Sequence, residues 1–179
     1  SGAQGRILVD LTGHHHAERQ TFLNGILHVT EPCDAAYGDY LIGSAPWCRD
    51  LPRKKHGTVH EQTFSAVQLD TERNLIHFTR IGGGSDRVIH LTPRTVKAGE
   101  LTTFQSDVIK DPLEWACYDG DRVTYKKNPA NRYNDLVEYH NTFAEVTRDG
   151  RMTAHQPGPV MALCYGASGL REYFPVTVV

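Results

Sequence analysis

The chain has 179 residues, a formal net charge of −2 and a pI near 6.5, which gives no sign of a nucleic-acid or membrane-surface partner. It contains no apolar run close to the roughly 18 residues that a membrane-spanning helix needs, and residues 1–6 do not begin a secretory signal peptide. A short polar start that leads almost at once into an apolar run suggests that the natural N-terminus lies elsewhere. The length fits one domain or two small ones.

Strand signals dominate the first half of the chain. Short runs that are rich in β-branched and apolar residues and bounded by turn residues predict five strands. These are residues 7–10, 26–29, 66–70, 75–79 and 87–91. Residues 70–74 are typical of a hairpin loop, and the run Gly82-Gly83-Gly84-Ser85-Asp86 predicts a second turn or a bulge, where positive φ angles are tolerated.

Residues 30–62 have a different composition, with Pro and Gly spread along their length. They predict a long irregular surface excursion, which is either functional or a solvated connection. The basic run Arg53-Lys54-Lys55 within it could attract a phosphate, although a solvated charge run is the simpler interpretation.

A boundary is predicted near residues 91–94, where a second series of short strands begins. The predicted strands are residues 95–97, 101–104, 113–116, 122–125, 143–146, 160–164 and 173–178. Their number and spacing favour a β-sandwich of immunoglobulin type, with Pro175 on an edge strand. Residues 126–141 are polar and predict a long loop or insertion, within which residues 131–140 are the best candidate for a short helix. The whole chain is therefore expected to be mainly β, divided into residues 1–92 and 93–179.

The four cysteines are Cys33, Cys48, Cys117 and Cys164. No two of them form a CxxC pair, so a zinc ribbon or a thioredoxin motif is not expected. Cys33 could pair with Cys48, and Cys117 with Cys164, but spacing alone does not decide this. Four reduced, mostly buried thiols are the favoured interpretation.

The most informative stretch is Gly13-His14-His15-His16, which lies between two apolar runs. Clustered imidazoles just past a strand end suit a transition metal. With the following Asn24-Gly25-Ile26, the tract resembles the last metal-binding motif of the calcineurin-like metallophosphoesterases, which has the form Gly-His-x-His. The downstream block Thr79-Arg80-Ile81-Gly82-Gly83-Gly84-Ser85-Asp86-Arg87 is similar to the closing strands of bacterial members, and the resemblance covers residues 7–91.

The resemblance implies that His14 and His16 are metal ligands and that His15 occupies the variable position. In the family, both histidines ligate a two-metal centre of the Zn, Fe or Mn type, which holds a phosphate ester and activates a bridging water. The family's other ligand motifs, Asp-x-His, Gly-Asp-x-x-Asp and Gly-Asn-His-(Asp/Glu), do not occur in this chain. It is therefore expected to be the C-terminal part of a larger phosphoesterase, inactive alone and without an identifiable catalytic or substrate-binding residue.

The histidine tract could instead be a surface turn with incidental histidines or a remnant of a purification tag. The histidines elsewhere in the chain are expected to carry less chemistry. His28, His77 and His90 lie in predicted strands and suit packing or surface positions, whereas His56 and His60 lie in the long excursion and could approach a substrate.

Residues 94–179 resemble bacterial immunoglobulin-like domains of surface proteins. The resemblance rests on residues 143–154, 156–163 and 172–178, with turns at Asp149-Gly150 and Pro157-Gly158 and with Trp115 as the core tryptophan. It implies a secreted or cell-surface location in a bacterium. It also supplies the alternative function, a non-enzymatic structural module or one that binds carbohydrate or protein.

Overall fold

A computed structural model describes residues 7–12, 18–31, 55–126 and 136–179 of the chain. All regular structure in these residues is β, so the predicted mainly-β class is confirmed. The described part of the chain has no helix that could cross a membrane. The strands are β1 Val9–Thr12, β2 Arg19–Leu23, β3 Ile26–Thr30, β4 Thr63–Asp70, β5 Leu75–Gly82, β6 Arg87–His90, β7 Arg94–Val96, β8 Leu101–Thr103, β9 Pro112–Asp119, β10 Val123–Lys126, β11 Leu136–Tyr139, β12 Ala144–Val146, β13 Arg151–Ala154, β14 Gly158–Gly166 and β15 Arg171–Val178.

The central element is a seven-stranded mixed sheet in the order β4-β5-β6-β15-β14-β9, with β7 also paired to β15. Side chains alternate between the two faces of each strand, and the sequence of the inner strands is apolar on both faces. On β15, for example, Tyr173 faces one side and Phe174 the other, and both are buried. The sheet therefore has another sheet packed on each face.

One face packs against the three-stranded sheet β1-β3-β2. The apolar cluster between them includes Phe22, Leu27 and Val29 from the small sheet, and Phe78 and Ile89 from the large one. The tight turn from β2 to β3 has positive φ at Asn24 (53°) and Gly25 (77°), as a two-residue type I′ hairpin requires.

The other face packs against the three-stranded sheet β12-β13-β8. Phe104, Trp115 and Phe174 meet there, with ring centroids 5.3–5.6 Å apart. Trp115 is 7% exposed, so it lies in a core as expected. The two sheets face each other across this cluster, and the predicted immunoglobulin-type sandwich stays a prediction.

The predicted division at residues 92/93 also stays a prediction. The seven-stranded sheet contains strands from both sides of it, because β6 pairs in parallel with β15 through Arg87–Arg171, Val88–Glu172 and Ile89–Tyr173.

The predicted strands hold in position, with shifts of a few residues at the ends, and the Asp70 hairpin is confirmed. Strands β2 and β13 were not predicted. Asp70 Oδ1 accepts hydrogen bonds from the backbone N–H groups of Glu72 (3.1 Å) and Arg73 (2.9 Å), and Asn74 has a φ of 54°.

The helix predicted for residues 131–140 is wrong where it can be compared. Residues 136–139 form β11, which pairs antiparallel with β10, and residues 131–135 lie outside the described residues. The predicted loop 126–141 is likewise partly strand, since Lys126 ends β10. A run of four residues is too short for its periodicity to distinguish a strand from a helix.

Pro175 was predicted to lie on an edge strand. It lies instead on β15, which has neighbouring strands on both sides. It lies opposite Met161 of β14. On the other side of β15, the pairing with β6 ends at Tyr173, and the pairing with β7 begins at Val176. Pro175 lies in the gap between these two partner strands. Its missing N–H group therefore removes no ladder hydrogen bond on that side of β15.

Candidate functional site

The predicted metal ligands His14 and His16, together with His15, lie outside the described residues. The residues that flank the tract are described. Thr12 ends β1 and pairs with Thr30 of β3, and Glu18, two residues after His16, is buried. Among the described residues, no group of three or more His, Cys, Asp and Glu side chains could hold a metal ion.

Glu18 is the centre of a buried ionic cluster formed with Arg80, Arg87 and Arg171. Its carboxylate accepts a hydrogen bond of 2.6 Å from Arg171 Nη1 and a short one from Arg80 Nη2. Arg87 Nη1 lies 3.6 Å from Glu18 Oε1. The side chains of Glu18 and the three arginines are at most 3% exposed, so all four charges lie in the interior.

Glu31, the residue that follows β3, is the second anion of the cluster. It accepts a short hydrogen bond from Arg87 Nη2 and one of 2.7 Å from Ser65 Oγ, and it lies 3.5 Å from Arg80 Nη1. Its side chain is 25% exposed. The cluster thus opens toward solvent at Glu31, and its three guanidinium groups exceed its two carboxylates by one positive charge.

Strand alternation explains why the arginines converge. Arg80, Arg87 and Arg171 occupy inward-facing positions on β5, β6 and β15, and Arg171 lies directly opposite Arg87. The Arg87 guanidinium also lies over the ring of Phe78, 4.5 Å from its centroid. Buried charges need such partners, because an unpaired charge in the interior is very costly.

Some guanidinium nitrogens of the cluster have no hydrogen-bond partner among the described residues. These are Nε and Nη1 of both Arg80 and Arg87, although each Nη1 has a carboxylate within 3.6 Å. The cluster is therefore well paired in charge but not saturated in hydrogen bonds.

The arginines set the protonation state of Glu18. Burial alone would raise the pKa of this carboxyl, but the charges of Arg171, Arg87 and Arg80 and the hydrogen bond from Arg171 outweigh burial and hold its pKa well below the usual range. Burial is also the largest influence on Arg80 and lowers its pKa. Glu18 is thus ionised at neutral pH.

This cluster was not predicted from the sequence. Glu18 and Arg171 are separated by 153 positions, and nothing local marks them as partners. The one available signal was spacing. Each arginine lies two positions from an apolar residue of its own strand (Phe78, Ile89 and Tyr173), so each is expected to share that residue's face.

Three of the described histidines make ordinary polar contacts. His28 Nδ1 is 3.1 Å from Asp10 on the neighbouring strand, and His56 Nδ1 is 2.8 Å from Glu61. His60 Nδ1 is 3.2 Å from the carbonyl oxygen of Gly82. The predicted substrate approach of His56 and His60 stays a prediction. In the basic run, Lys55 is exposed, and Arg53 and Lys54 lie outside the described residues.

A second buried carboxylate, Glu172, bridges a serine and a histidine on the opposite face of the sheet. His90 Nε2 lies 2.8 Å from Glu172 Oε1, and Ser106 Oγ donates a short hydrogen bond to Oε2. In a nucleophilic triad, the histidine stands between the serine and the acid. Here the acid stands in the middle, so the arrangement satisfies a buried carboxylate and does not activate Ser106.

An open groove of about 540 Å³ lies beside the start of β9 and the turn from β12 to β13. Its lining includes Leu113, Glu114, Trp115 and Arg148. Arg148 is well exposed and its Nε lies 3.7 Å from Glu114. The groove offers an exposed guanidinium beside apolar surface.

Cys117 and Cys164 are free, buried thiols. Burial raises the pKa of each to about 12, helped by Asp119 for Cys117 and by Glu172 for Cys164. Such thiols are poor nucleophiles. Cys33 and Cys48 lie outside the described residues.

Comparison with known proteins does not identify the chain. No family model matches it, and no curated protein matches it significantly.

Proposed function

We propose that this chain is the C-terminal part of a metal-dependent phosphoesterase and that His14 and His16 supply one corner of its two-metal centre. One observation carries the proposal. The two sequence blocks that resemble the calcineurin-like enzymes meet in space through Glu18, because Arg80 and Arg87 of the second block bind the carboxylate that follows the histidine tract. This contact links the segment before β2 to the large sheet.

The anchoring suits a ligand-bearing segment. The tract follows Thr12, which is held in the β1–β3 ladder, and precedes Glu18, which is held by three arginines. A metal site needs ligands on rigid supports. Ion pairs in the interior provide that support on one side of the tract, and backbone hydrogen bonds provide it on the other.

Phosphate-ester hydrolysis would require the complete two-metal centre. A pair of divalent ions of the Zn, Fe or Mn type would polarise the phosphoryl group and lower the pKa of a bound water. In this chain, His14 and His16 would contribute neutral imidazole nitrogens, and the cluster around Glu18 would hold their segment in place.

A binding experiment with the chain tests the metal-ligand assignment. Titration with Zn²⁺, followed by calorimetry at pH 7.5, is expected to show one weak site that His14→Ala and His16→Ala each abolish. His15→Ala is the matched control and should bind as the wild type does. Because imidazole must be deprotonated to ligate, affinity should fall as the pH drops below about 6.5. Unchanged binding in the His14→Ala, His16→Ala double variant would remove the assignment.

The groove at Arg148 favours the alternative function, a binding module for carbohydrate or protein in residues 93–179. An exposed guanidinium beside Leu113 and Glu114 suits a polar ligand with an apolar face. The proposal of a secreted or cell-surface location belongs with this alternative, since both rest on the immunoglobulin-like resemblance. Glycan-array binding that is lost in Arg148→Ala, with no Zn²⁺ site, would favour the module over the enzyme fragment.

A further inference from the structure

The solvent end of the ionic cluster, at Glu31, has more buried donors than its carboxylates use. Each guanidinium group carries five N–H donors, and Nε and Nη1 of both Arg80 and Arg87 make no hydrogen bond within the described residues. Thr63 lies two positions before Ser65 on β4 and therefore on the same face of that strand. Its hydroxyl is buried and also has no partner in this part of the chain. Buried polar groups are normally paired, so these spare donors indicate room for a further acceptor.

Glu31 can leave this position without any change in the backbone. Its N–H group donates to the carbonyl oxygen of Thr12 over 2.8 Å, which continues the β1–β3 ladder by one residue. Its carboxylate is held by Arg87 and Ser65, lies 3.5 Å from Arg80, and is 25% exposed. Rotation about the side-chain bonds alone would carry this carboxylate into water, where its charge is solvated.

Charge favours a dianion in its place. With Glu31 turned toward solvent, the three guanidinium groups of the cluster would have only the carboxylate of Glu18, which leaves an excess of two positive charges. A phosphoryl group carries close to two negative charges at neutral pH and three strong acceptor oxygens. A carboxylate offers one charge and two oxygens. The planar fork of arginine also matches the geometry of a phosphate.

We infer that Arg80, Arg87 and Ser65 form a binding site for a phosphoryl dianion and that the carboxylate of Glu31 occupies this site in the free protein. The ligand is inorganic phosphate or a phosphate monoester, whose organic part would extend into solvent on the exposed side of Glu31. The inference does not rest on the proposed function, because none of these residues is a proposed metal ligand and the site is tested without metal.

Chemical rescue of Glu31→Ala tests the site. Loss of this carboxylate should lower the Tm, and inorganic phosphate or phenyl phosphate at about pH 8 and constant ionic strength should restore it in a saturable way, from which Kd follows. Because Glu31 competes for the site in the wild type, the Kd of the variant should be at least about tenfold lower than that of the wild type.

Glu61→Ala is the matched control. The side chain of Glu61 is 30% exposed, similar to that of Glu31, but it pairs with His56 rather than with arginine. This variant should show only the general, non-saturating stabilisation that phosphate gives to folded proteins. Saturable rescue of Glu61→Ala to the same degree, or no saturable rescue of Glu31→Ala by either phosphate, would overturn the inference.

Two further comparisons test the chemistry of the site. Ser65→Ala in the Glu31→Ala background removes one donor to a charged ligand and should weaken phosphate binding at least about fivefold. Formate replaces only the lost carboxylate, so it should bind at least about tenfold more weakly than phosphate. Equal rescue by formate, or phosphate binding that Ser65→Ala leaves unchanged, would contradict the assignment.

If Glu31→Ala does not fold, an NMR titration of the wild type with inorganic phosphate decides. The amide signals of Glu31 and Ser65 should shift in a saturable way, while that of Glu61 stays in place. The absence of saturable shifts at Glu31 and Ser65 would overturn the inference.

Discussion

Neutralising Glu18 is the most informative single perturbation of the fold. Glu18→Gln keeps the shape of the side chain but removes the charge that faces Arg80, Arg87 and Arg171. Arg80 and Arg87 would then keep Glu31, which is partly exposed, as their carboxylate partner. Arg171 would lose its ion pair with Glu18. Breaking a buried ion pair on one side typically costs about 3–5 kcal/mol. For a chain of this size, that corresponds to a fall in Tm of about 6–20 °C.

Urea denaturation and scanning calorimetry measure the change. Glu114→Gln is the control, because Glu114 pairs with a well-exposed Arg148 at 3.7 Å, and such surface pairs contribute at most about 1 kcal/mol. If Glu18→Gln lowers the free energy of unfolding by less than about 1 kcal/mol, the buried arginines do not depend on the charge of Glu18, and the reasoning is refuted.

The pH dependence follows from the lowered pKa of Glu18. The folded state holds this pKa below its ordinary value of 4.5, so the stabilisation is fully present above that value and is lost as the pH falls below it. The difference in unfolding free energy between the wild type and Glu18→Gln should therefore be largest above pH 4.5 and shrink below it. An equal difference at about pH 3 and about pH 7 would contradict the electrostatic origin.

Three further predictions concern the backbone, the thiols and activity. Gly82→Ala should destabilise by at least about 3 kcal/mol, because a Cβ there would lie 1.7 Å from the carbonyl oxygen of Gln62 at a φ of 97°; Gly99→Ala, with φ 83° and open space, should cost only about 1–2 kcal/mol in the same denaturation assay. Cys117 and Cys164 should resist iodoacetamide at about pH 8 in the folded protein and react only in denaturant, because burial raises their pKa to about 12; native labelling detected by mass spectrometry would contradict this. The isolated chain should hydrolyse no chromogenic phosphodiester with added Zn²⁺ or Mn²⁺, and robust metal-dependent turnover would show that it needs no further ligands.

Local patterns were enough to predict most strands and their turns. The Asp70 loop depends on residues a few positions apart, whose backbone preferences act without the rest of the fold. Strand β11 was missed because its four residues, Leu136–Tyr139, are too few to separate a period of two from a helical period. What identifies β11 as a strand is its pairing with β10, from which polar residues separate it in the sequence.

Long-range arrangement could not be predicted from the same patterns. Pro175 favours an edge on local grounds, yet it lies on an interior strand because two successive partners, β6 and β7, leave a gap beside it. The Glu18–Arg171 pair likewise depends on how two distant strands register. Such features follow from sheet order, which short segments of sequence do not specify.

Paramagnetic NMR tests the proposed metal corner most directly. Substoichiometric Co²⁺ or Mn²⁺ should broaden the amide signals of Thr12 and Glu18, which flank the histidine tract, before those of residues elsewhere in the sheets. The effect should persist in His15→Ala and disappear in the His14→Ala, His16→Ala double variant. Broadening that survives the double variant, or that centres on the His56–Glu61 pair, would contradict the proposed function.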